Sequence, residues 1–396
     1  MSTLINLEVK DGSNLKGYLA IDSTVNGRSY GGIRIAPDVS SDLITQLART
    51  MTLKYGFVGL PVGGAKAGIV ADPEIPRGKK REILSSFGQA IKPFLQTKSY
   101  FPGGDLGVDD DDIRFMLTSV GLKVQPRSLV WKLSGFYTGI TVFATAVRAV
   151  QHIGLDLNRV SVAIEGFGNV GASAAQAFWE RRIKVVAIST SQGAIYNEEG
   201  LDVGELLRLR DRVGNEVVNL FPKGERIDKG RLPELDADIF CPCGPSLSIN
   251  QGKAKAVAAR AIIPGANVPM TAEVEQILLQ RGIFCIPDFV ANCGGILGSS
   301  MKRAGLREGY IRHFLEYKVG EQVTEVIEAA EKENIPPGVY AQRVAEDRFL
   351  RVKAAAEKGN ITSGAFNFAL GLYRRGIIPY QLVTPFAPRY FKNRFR

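Results

Sequence analysis

Histidine and cysteine are scarce in this chain, with two of the former and four of the latter in 396 residues. Cys241 and Cys243 stand two apart, Cys285 and Cys293 lie in a separate apolar region, and only His152 and His313 could join them. A structural zinc site wants Cys-x2-Cys pairs or clustered histidines, so no metal is expected and the thiols read as free and buried. No run approaches the roughly 18 consecutive apolar residues of a spanning helix, so no membrane partner is expected. The opening Met-Ser-Thr-Leu-Ile-Asn-Leu-Glu lacks the basic-then-apolar plan of a secretory leader, which makes a cytoplasmic location the expectation. Internal repeats and low-complexity tracts are also missing. Beyond Gly371 there is no acid at all, only Arg374, Arg375, Arg389, Lys392, Arg394 and Arg396, interleaved with Tyr373, Tyr380, Phe386, Tyr390, Phe391 and Phe395. That tail contributes to the net charge of +10 and resembles a single-strand binding surface. Packing of its aromatics on the body or on another subunit explains it more simply, and nucleic acid is not an expected partner.

What remains is an ordinary globular composition, 45% hydrophobic, in a chain long enough for two cores. Residues 1 to about 37 read as short strands and turns, punctuated by Asp11-Gly12, Asn26-Gly27 and Gly31-Gly32. Ser40-Ser41-Asp42 reads as the cap of a helix running to about Gly56, whose apolar stripe Leu43, Leu47, Met51 ends on Lys54. Such a lysine is commonly a snorkelling side chain, and equally suits an ammonium aimed at a substrate carboxylate. Next comes Leu60-Pro-Val-Gly-Gly-Ala-Lys66-Ala-Gly-Ile. Held among small and apolar residues, Lys66 would lose pKa and serve as an acid-base group near neutral pH; a surface lysine on a Gly-rich turn fits the stretch equally well. Arg77 to about Thr97 reads as one amphipathic helix. Asp109 to Asp112 read as the first turn of another, where the helix dipole favours acids. Asp105, before that cap and between Gly104 and Gly107, is either a functional loop carboxylate or a turn former.

Thr138 to about His152 reads as an apolar helix. Val160-Ser-Val-Ala-Ile-Glu is a buried-strand pattern followed by Gly166-Phe167-Gly168-Asn169-Val170-Gly171 and an alanine-rich helix through Trp179. Here the G-x-G-x-x-G pattern has a strand before it and a helix after it. Its glycines allow the tight turn, the approach of a pyrophosphate and close helix-strand packing. The next strand, Lys184-Val-Val-Ala-Ile-Ser, should end in an acid if it is to hold the ribose of NAD. It ends Ser189-Thr190-Ser191 instead, where hydroxyls could bond a 2'-phosphate, so NADP or use of both cofactors is expected over strict NAD use. Further strands follow at Ala237-Asp-Ile-Phe-Cys, Ala261-Ile-Ile-Pro and Gly282-Ile-Phe-Cys-Ile-Pro. From about Gly305 the chain turns helical and charged.

Taken in order, these segments resemble the glutamate/leucine/phenylalanine/valine dehydrogenase family, most closely its glutamate-type members. The motifs are Gly31-Gly-Ile-Arg34, Met51-Thr-Leu-Lys54, the Lys66 stretch, Gly104-Asp105-Leu-Gly107, Thr138-Gly-Ile-Thr-Val and Gly166 to Gly171. Gly265-Ala-Asn267-Val-Pro-Met-Thr271 and Pro287-Asp-Phe-Val-Ala-Asn292-Cys-Gly-Gly295 complete the set. The resemblance implies an α/β fold: a substrate and oligomerisation domain (1–135), a Rossmann domain (136–300), and C-terminal helices (301–396) returning to the first domain. It implies reversible oxidative deamination of an L-amino acid to a 2-oxo acid and ammonia, with NAD or NADP, in a homo-oligomer, a hexamer for preference. Lys66 and Asp105 would be catalytic. Tyr30, Gly31, Gly32, Lys54 and Ser299 would bind substrate, with Lys54 on its α-carboxylate. Thr138, the residues Gly166 to Gly171, Ser189, Thr190, Asn267 and Asn292 would bind the cofactor. Closure of a cleft between the domains would exclude water from a reactive iminium.

The chain also departs from the family. Glutamate-type members carry a lysine before Gly-Gly that pairs with the substrate's side-chain carboxylate; here it is Tyr30. Pro264 stands for an acid, and Val108 for a threonine. Ala65 and Ala67 replace glycines, so neither position needs positive φ. Ser299 matches a serine that glutamate-type members use near the side chain. Glutamate is the leading substrate, with a neutral side chain as the alternative. The departures also fit a catalytically idle paralogue that binds a dinucleotide or metabolite.

Overall fold

The computed structural model describes residues 4–10, 15–124, 133–358, 368–373 and 375–394. It divides into two compact units, Met1–Lys132 with Ser299–Arg307 and Gln342–Arg396, and Leu133–Gly298 with Glu308–Ala341.

In the first unit, strands β1 (Ile5–Lys10), β2 (Lys16–Ile21), β3 (Ser29–Ala36), β4 (Gly63–Val70) and β5 (Tyr100–Gly104) form a sheet of order β1-β2-β4-β3-β5. β4 runs antiparallel to β2 and parallel to β3, and β3 is parallel to β5. Helices α1 (Ser41–Phe57), α2 (Arg77–Ala90), α3 (Lys92–Gln96) and α4 (Asp110–Ser119) cover it. The Lys66 stretch is therefore a central strand and not a turn. Side chains of a strand alternate between faces. Ala65, Ala67 and Ile69 join a core with Leu84 and Phe87 of α2 and Ile113 and Met116 of α4. Gly64 and Gly68 point the other way, where a Cβ would lie 2.4 Å from Thr52 Oγ1 and 2.6 Å from Ile44 Cδ1. Those two glycines let α1 sit close on the sheet, and they put Lys66 between them on the α1 face. Glycine and alanine disfavour strands in isolation, and this packing overrides the propensity.

Ser40 caps α1, its Oγ accepting from the Leu43 amide at 3.3 Å. Asp109 and Asp112 form a reciprocal capping box at the start of α4. The single helix expected over 77–97 is broken at Ile91, because Pro93 in the first turn of α3 has no N–H to continue the ladder. At the C-terminal end, the helix Pro337–Lys358 packs on α1. Gly56 lies against the Ala345 carbonyl, and Arg348 donates to the Phe57 carbonyl. In the basic tail, Phe391 is buried, Arg394 donates to the Gly59 carbonyl at 3.1 Å and covers the Tyr390 ring, and Phe386 is exposed. Arg374, Phe395 and Arg396 lie outside the described residues.

The second unit holds a seven-stranded sheet, order β12-β11-β10-β6-β7-β8-β9. Its strands are β6 (Ser161–Glu165), β7 (Lys184–Thr190), β8 (Gly193–Tyr196), β9 (Glu225–Ile227), β10 (Ile239–Pro242), β11 (Ala261–Ile262) and β12 (Phe284–Cys285). β12 through β7 are mutually parallel, and β8 and β9 are antiparallel additions at one edge. Helices α5 (Ser134–His152), α6 (Asn169–Glu180) and α7 (Val203–Val213) pack around it. The segment 301–396, expected as one block, is divided between the two units. Helices Glu308–Phe314 and Gly320–Lys332, linked by a π-helical turn at Leu315–Val319, pack near α5 in the second unit. Their buried Leu315, Val319, Val323 and Ile327 supply an apolar stripe, and helical periodicity alone does not say which partner such a stripe meets. Among the described residues no helix is long and apolar enough to cross a membrane.

Candidate active site

In the first unit, three charged side chains meet where β3, β4 and the end of β5 lie side by side. Lys66 Nζ is 3.0 Å from Asp105 Oδ2, and Arg34 Nε donates to the same oxygen at 2.8 Å. Lys66 is 3% exposed and Arg34 6%. Both bonds land on Oδ2, and Oδ1 takes no partner among the described residues. Burial lowers the Lys66 pKa; Asp105 pulls it back up, Arg34 pushes it down, and the net shift is downward. Burial alone would raise the Asp105 carboxyl, but Lys66 and Arg34 outweigh it and hold it well below the usual carboxylate range. An ionised carboxylate thus stands against a lysine able to lose its proton.

Glycines make the room. A Cβ on Gly32 would be 2.8 Å from Asp105 Cβ, and one on Gly31 would be 1.6 Å from the Ala65 carbonyl oxygen. The Tyr100 hydroxyl donates to the Gly31 carbonyl at 3.0 Å, tying β5 to β3. Tyr30 pairs with Phe101 across β3 and β5, and their rings stack at 4.5 Å. Lys54 is buried in the last turn of α1. A buried hydroxyl network joins α1 to β4: Ser23 Oγ lies 2.7 Å from Thr52 Oγ1 and accepts from the Gly64 amide at 3.0 Å. That network ties the chain two residues before Lys54 to the chain two residues before Lys66. Ser299 Oγ is fully buried and has no hydrogen-bond partner among the described residues.

Sequence reasoning missed Arg34, Tyr100, Ser23 and Thr52. Arg34 stands inside the Gly31-Gly-Ile-Arg34 motif, and a buried arginine beside two glycines was a signal that a carboxylate had to be near. Ser23 and Thr52 carry no sequence signal of their own.

The dinucleotide fingerprint of the second unit has the geometry its pattern calls for. Gly166 has φ +86, which suits glycine, and a Cβ on Gly171 would lie 1.9 Å from the Gly166 carbonyl oxygen. Gly168 caps α6 with no side-chain bond, and both it and Asn169 are exposed, so the first amides of the helix face outward where a pyrophosphate would sit. Phe167 is buried, with its amide on the Ser189 carbonyl at 2.7 Å. Val170 packs toward Gly265. Asn292 Nδ2 donates to the carbonyls of Gly265 and Ala266 and to Asn267 Oδ1, which joins the two asparagines. Thr138 Oγ1 donates to the Ser134 carbonyl and lies where a Cβ on Gly295 would be 2.6 Å away. These residues fit a dinucleotide.

One expectation needs correcting here. The hydroxyls of Ser189 and Thr190 are engaged inside the protein. Ser189 Oγ accepts from the Gly166 amide at 3.0 Å, while Thr190 Oγ1 donates to the Asn215 carbonyl and accepts from the Gln192 amide. Both residues are buried, so they shape the β7 end and leave a 2'-phosphate to other groups. An exposed cation is nearby: Lys229 Nζ donates to the Ser191 carbonyl at 3.0 Å. The cysteines are all free, and burial pushes the Cys243 thiol up to about 12. Among the described residues no cluster of metal ligands forms.

Comparison with known proteins gives the same picture. The family model for glutamate/leucine/phenylalanine/valine dehydrogenase matches residues 135–359, and that for the dimerisation domain of these dehydrogenases matches residues 1–121. The chain is 34% identical to glutamate dehydrogenase of Thermotoga maritima over 351 residues, 84% of each chain. It is 32% identical to an NAD-specific glutamate dehydrogenase of Staphylococcus aureus over 340 residues, 82% of this chain and 81% of the other. Among solved structures it resembles the leucine-bound hetero-hexameric glutamate dehydrogenase of Thermus thermophilus, with a TM-score of 0.73, 25% identity and coverage of 90% and 89%. The chain belongs to the glutamate/leucine/phenylalanine/valine dehydrogenase family of NAD(P)-dependent amino-acid dehydrogenases.

Proposed function

We propose that this protein catalyses the reversible oxidative deamination of an L-amino acid to the 2-oxo acid and ammonia, with the first unit holding the substrate and the second the dinucleotide. The observation that carries this reading is the Lys66–Asp105–Arg34 cluster, a depressed lysine and an ionised carboxylate in contact. Lys54 takes the α-carboxylate. NAD(P) supplies the hydride acceptor for the substrate's Cα. Water then adds to the resulting iminium carbon. Before the hydride leaves, Asp105 takes a proton from the substrate's ammonium, since only the amine can become an iminium. The neutral Lys66 amine then removes a proton from the water, and as the carbinolamine collapses Asp105 returns its proton to the departing nitrogen, the hydroxyl proton leaving with the ammonia as ammonium. Arg34 holds Asp105 Oδ2, which leaves Oδ1 for this relay. With the cluster intact, the departures at Tyr30, Val108 and Pro264 concern side-chain selection and positioning. Self-association belongs to the same reading, supported by the match of residues 1–121 to a dimerisation domain, and a homo-hexamer is the form we propose. Appearance of the reduced nicotinamide absorbance, scanned over L-amino acids with NAD and NADP in turn, tests the reaction. A chain that reduces neither cofactor with any amino acid is not this enzyme.

For the cofactor, the absence of an acid at the end of β7 and the presence of Lys229 support use of NADP alongside NAD. Lys229→Glu should lower kcat/KM with NADP by roughly tenfold, the scale of one charged hydrogen bond, and leave NAD nearly unchanged. An unaltered NADP/NAD ratio would remove Lys229 from the site.

A further inference from the structure

Among the described residues, six other than glycine stand at positive φ. Asn26 does so in a tight turn with Gly27, and Lys98, Arg182 and Asn334 each lie just past the end of a helix, settings where the left-handed region is ordinary. Leu247, at φ +57, and Val268, at φ +48, stand in neither setting. For a bulky or β-branched residue that region is a genuine outlier, and it persists only where the surroundings impose it. The two outliers are bonded to each other, the Leu247 amide donating to the Val268 carbonyl at 2.8 Å. Around that bond the chain is tied on every side. Asp288 Oδ2 accepts from the Val268 amide at 2.6 Å, Ser246 Oγ donates to the Asn267 carbonyl at 2.7 Å, and the Ile249 amide donates to the Pro269 carbonyl at 3.0 Å. These residues follow β10, β11 and β12, so the bonds join three loops at the C-terminal ends of parallel strands, where open α/β sheets take their ligands. The same loops abut the glycine fingerprint. A Cβ on Gly265 would be 2.8 Å from Val170 Cγ1, and one on Gly166 would be 2.9 Å from Gly244 Cα. At the centre stands Asn267, whose Oδ1 accepts from Asn292 Nδ2 at 3.1 Å.

We propose that Asp288 is a positioning residue for the dinucleotide: its carboxylate holds Val268 in the left-handed region, and that strained turn presents Asn267, beside Asn292, to the bound cofactor. This rests on the dinucleotide reading of the second unit given above. A bond from an amide to an ionised carboxylate is short and about twice as strong as one to a neutral acceptor, which suits it to offset backbone strain. Pro269 disfavours right-handed helical backbone at the residue before it, so a released Val268 relaxes to an extended conformation and turns the chain at Asn267 with it. Glycine would reach the observed φ without strain. The carboxylate is therefore needed because residue 268 is a valine. The competing role for the same bonds is to stitch three loops together, a matter of stability alone.

A double-variant cycle separates these roles. NADPH is titrated into the full-length protein by fluorescence, with KM for the amino acid and the thermal midpoint measured alongside. Asp288→Ala should raise the Kd for NADPH by about 10-fold or more, the scale of one charged hydrogen bond, and leave KM for the amino acid within a few-fold. Asp288→Asn, which keeps an acceptor without the charge, should fall between wild type and alanine. Adding Val268→Gly to Asp288→Ala should return the Kd to within about threefold of wild type, because the turn no longer needs its anchor. Loss of a stitch would not be repaired by that second change. Ser246→Ala, which frees the Asn267 carbonyl and keeps the carboxylate, should show a smaller loss of the same sign, and it decides the matter if the alanine variant at 288 does not fold. An Asp288→Ala protein that melts earlier yet binds NADPH as the wild type does would overturn the proposal. So would a double variant no tighter than Asp288→Ala. A wild type that binds neither NADPH nor NADH would bring down the dinucleotide reading itself, and this proposal with it.

Discussion

Lys66→Ala should lower the rate of deamination by a factor of at least about 10⁴, near 5.5 kcal/mol of barrier, while NADPH still binds. The loss is large because the proposed mechanism uses Lys66 twice, as the base for water and as the charge that polarises the carbonyl in the reverse direction. The substitution is also unusually clean. Arg34 remains on Asp105 Oδ2 at 2.8 Å, so the carboxylate keeps a counter-charge and the sheet keeps its core through Ala65 and Ala67. A second signature follows from pKa. Only the neutral amine accepts a proton, so the wild-type deamination rate rises with pH through the Lys66 pKa, which burial places below the ordinary lysine value. That acid limb should be absent from whatever rate Lys66→Ala retains. Stopped-flow rates across pH, with NADPH titrated by fluorescence as the control, decide it. A variant within tenfold of wild type would mean that Lys66 is a structural lysine.

How much of this site could be read from the chain depended on distance in sequence. The dinucleotide fingerprint was legible because its physics is local: Gly166, Gly168 and Gly171 act on the turn and the helix they sit in. The same holds for the Ser40 cap and the Asp109–Asp112 box. The secondary structure around Lys66 was not legible. Its run of glycine and alanine reads as a turn until α1 and the facing core are in place, and then it is the only composition that lets both helical layers approach one strand. Arg34 stayed hidden as a functional residue because its partner Asp105 lies 71 positions away and no periodicity joins them. Ser189 and Thr190 misled for the opposite reason. Hydroxyls at a strand end advertise a ligand, yet the Gly166 amide, Asn215 and Gln192 had already taken them. Helix 308–332 was predictable as helix, but the surface its apolar stripe would meet was not.

Asp105→Asn should cost both turnover and stability, and the two can be separated. The amide cannot relay a proton, and it takes from the buried Lys66 and Arg34 the anion they share. Turnover should fall about 10³-fold or more. Stability should fall by about 3 kcal/mol, the scale of a buried pair broken from one side. In the wild type Asp105 has a folded pKa below its unfolded value. Its stabilising contribution is therefore full above the unfolded carboxylate range near about pH 4 and is lost as pH falls through that range toward the lower folded value. The thermal midpoint of Asp105→Asn should accordingly sit well below wild type at pH 7, and the gap should narrow as both are taken to pH 3. Lys66 supplies a further check. Asp105 raises its pKa in the wild type, so any residual rate in Asp105→Asn should reach its plateau at lower pH. A melting difference that stayed constant between pH 7 and pH 3, with turnover intact, would show that Asp105 forms a turn and nothing more.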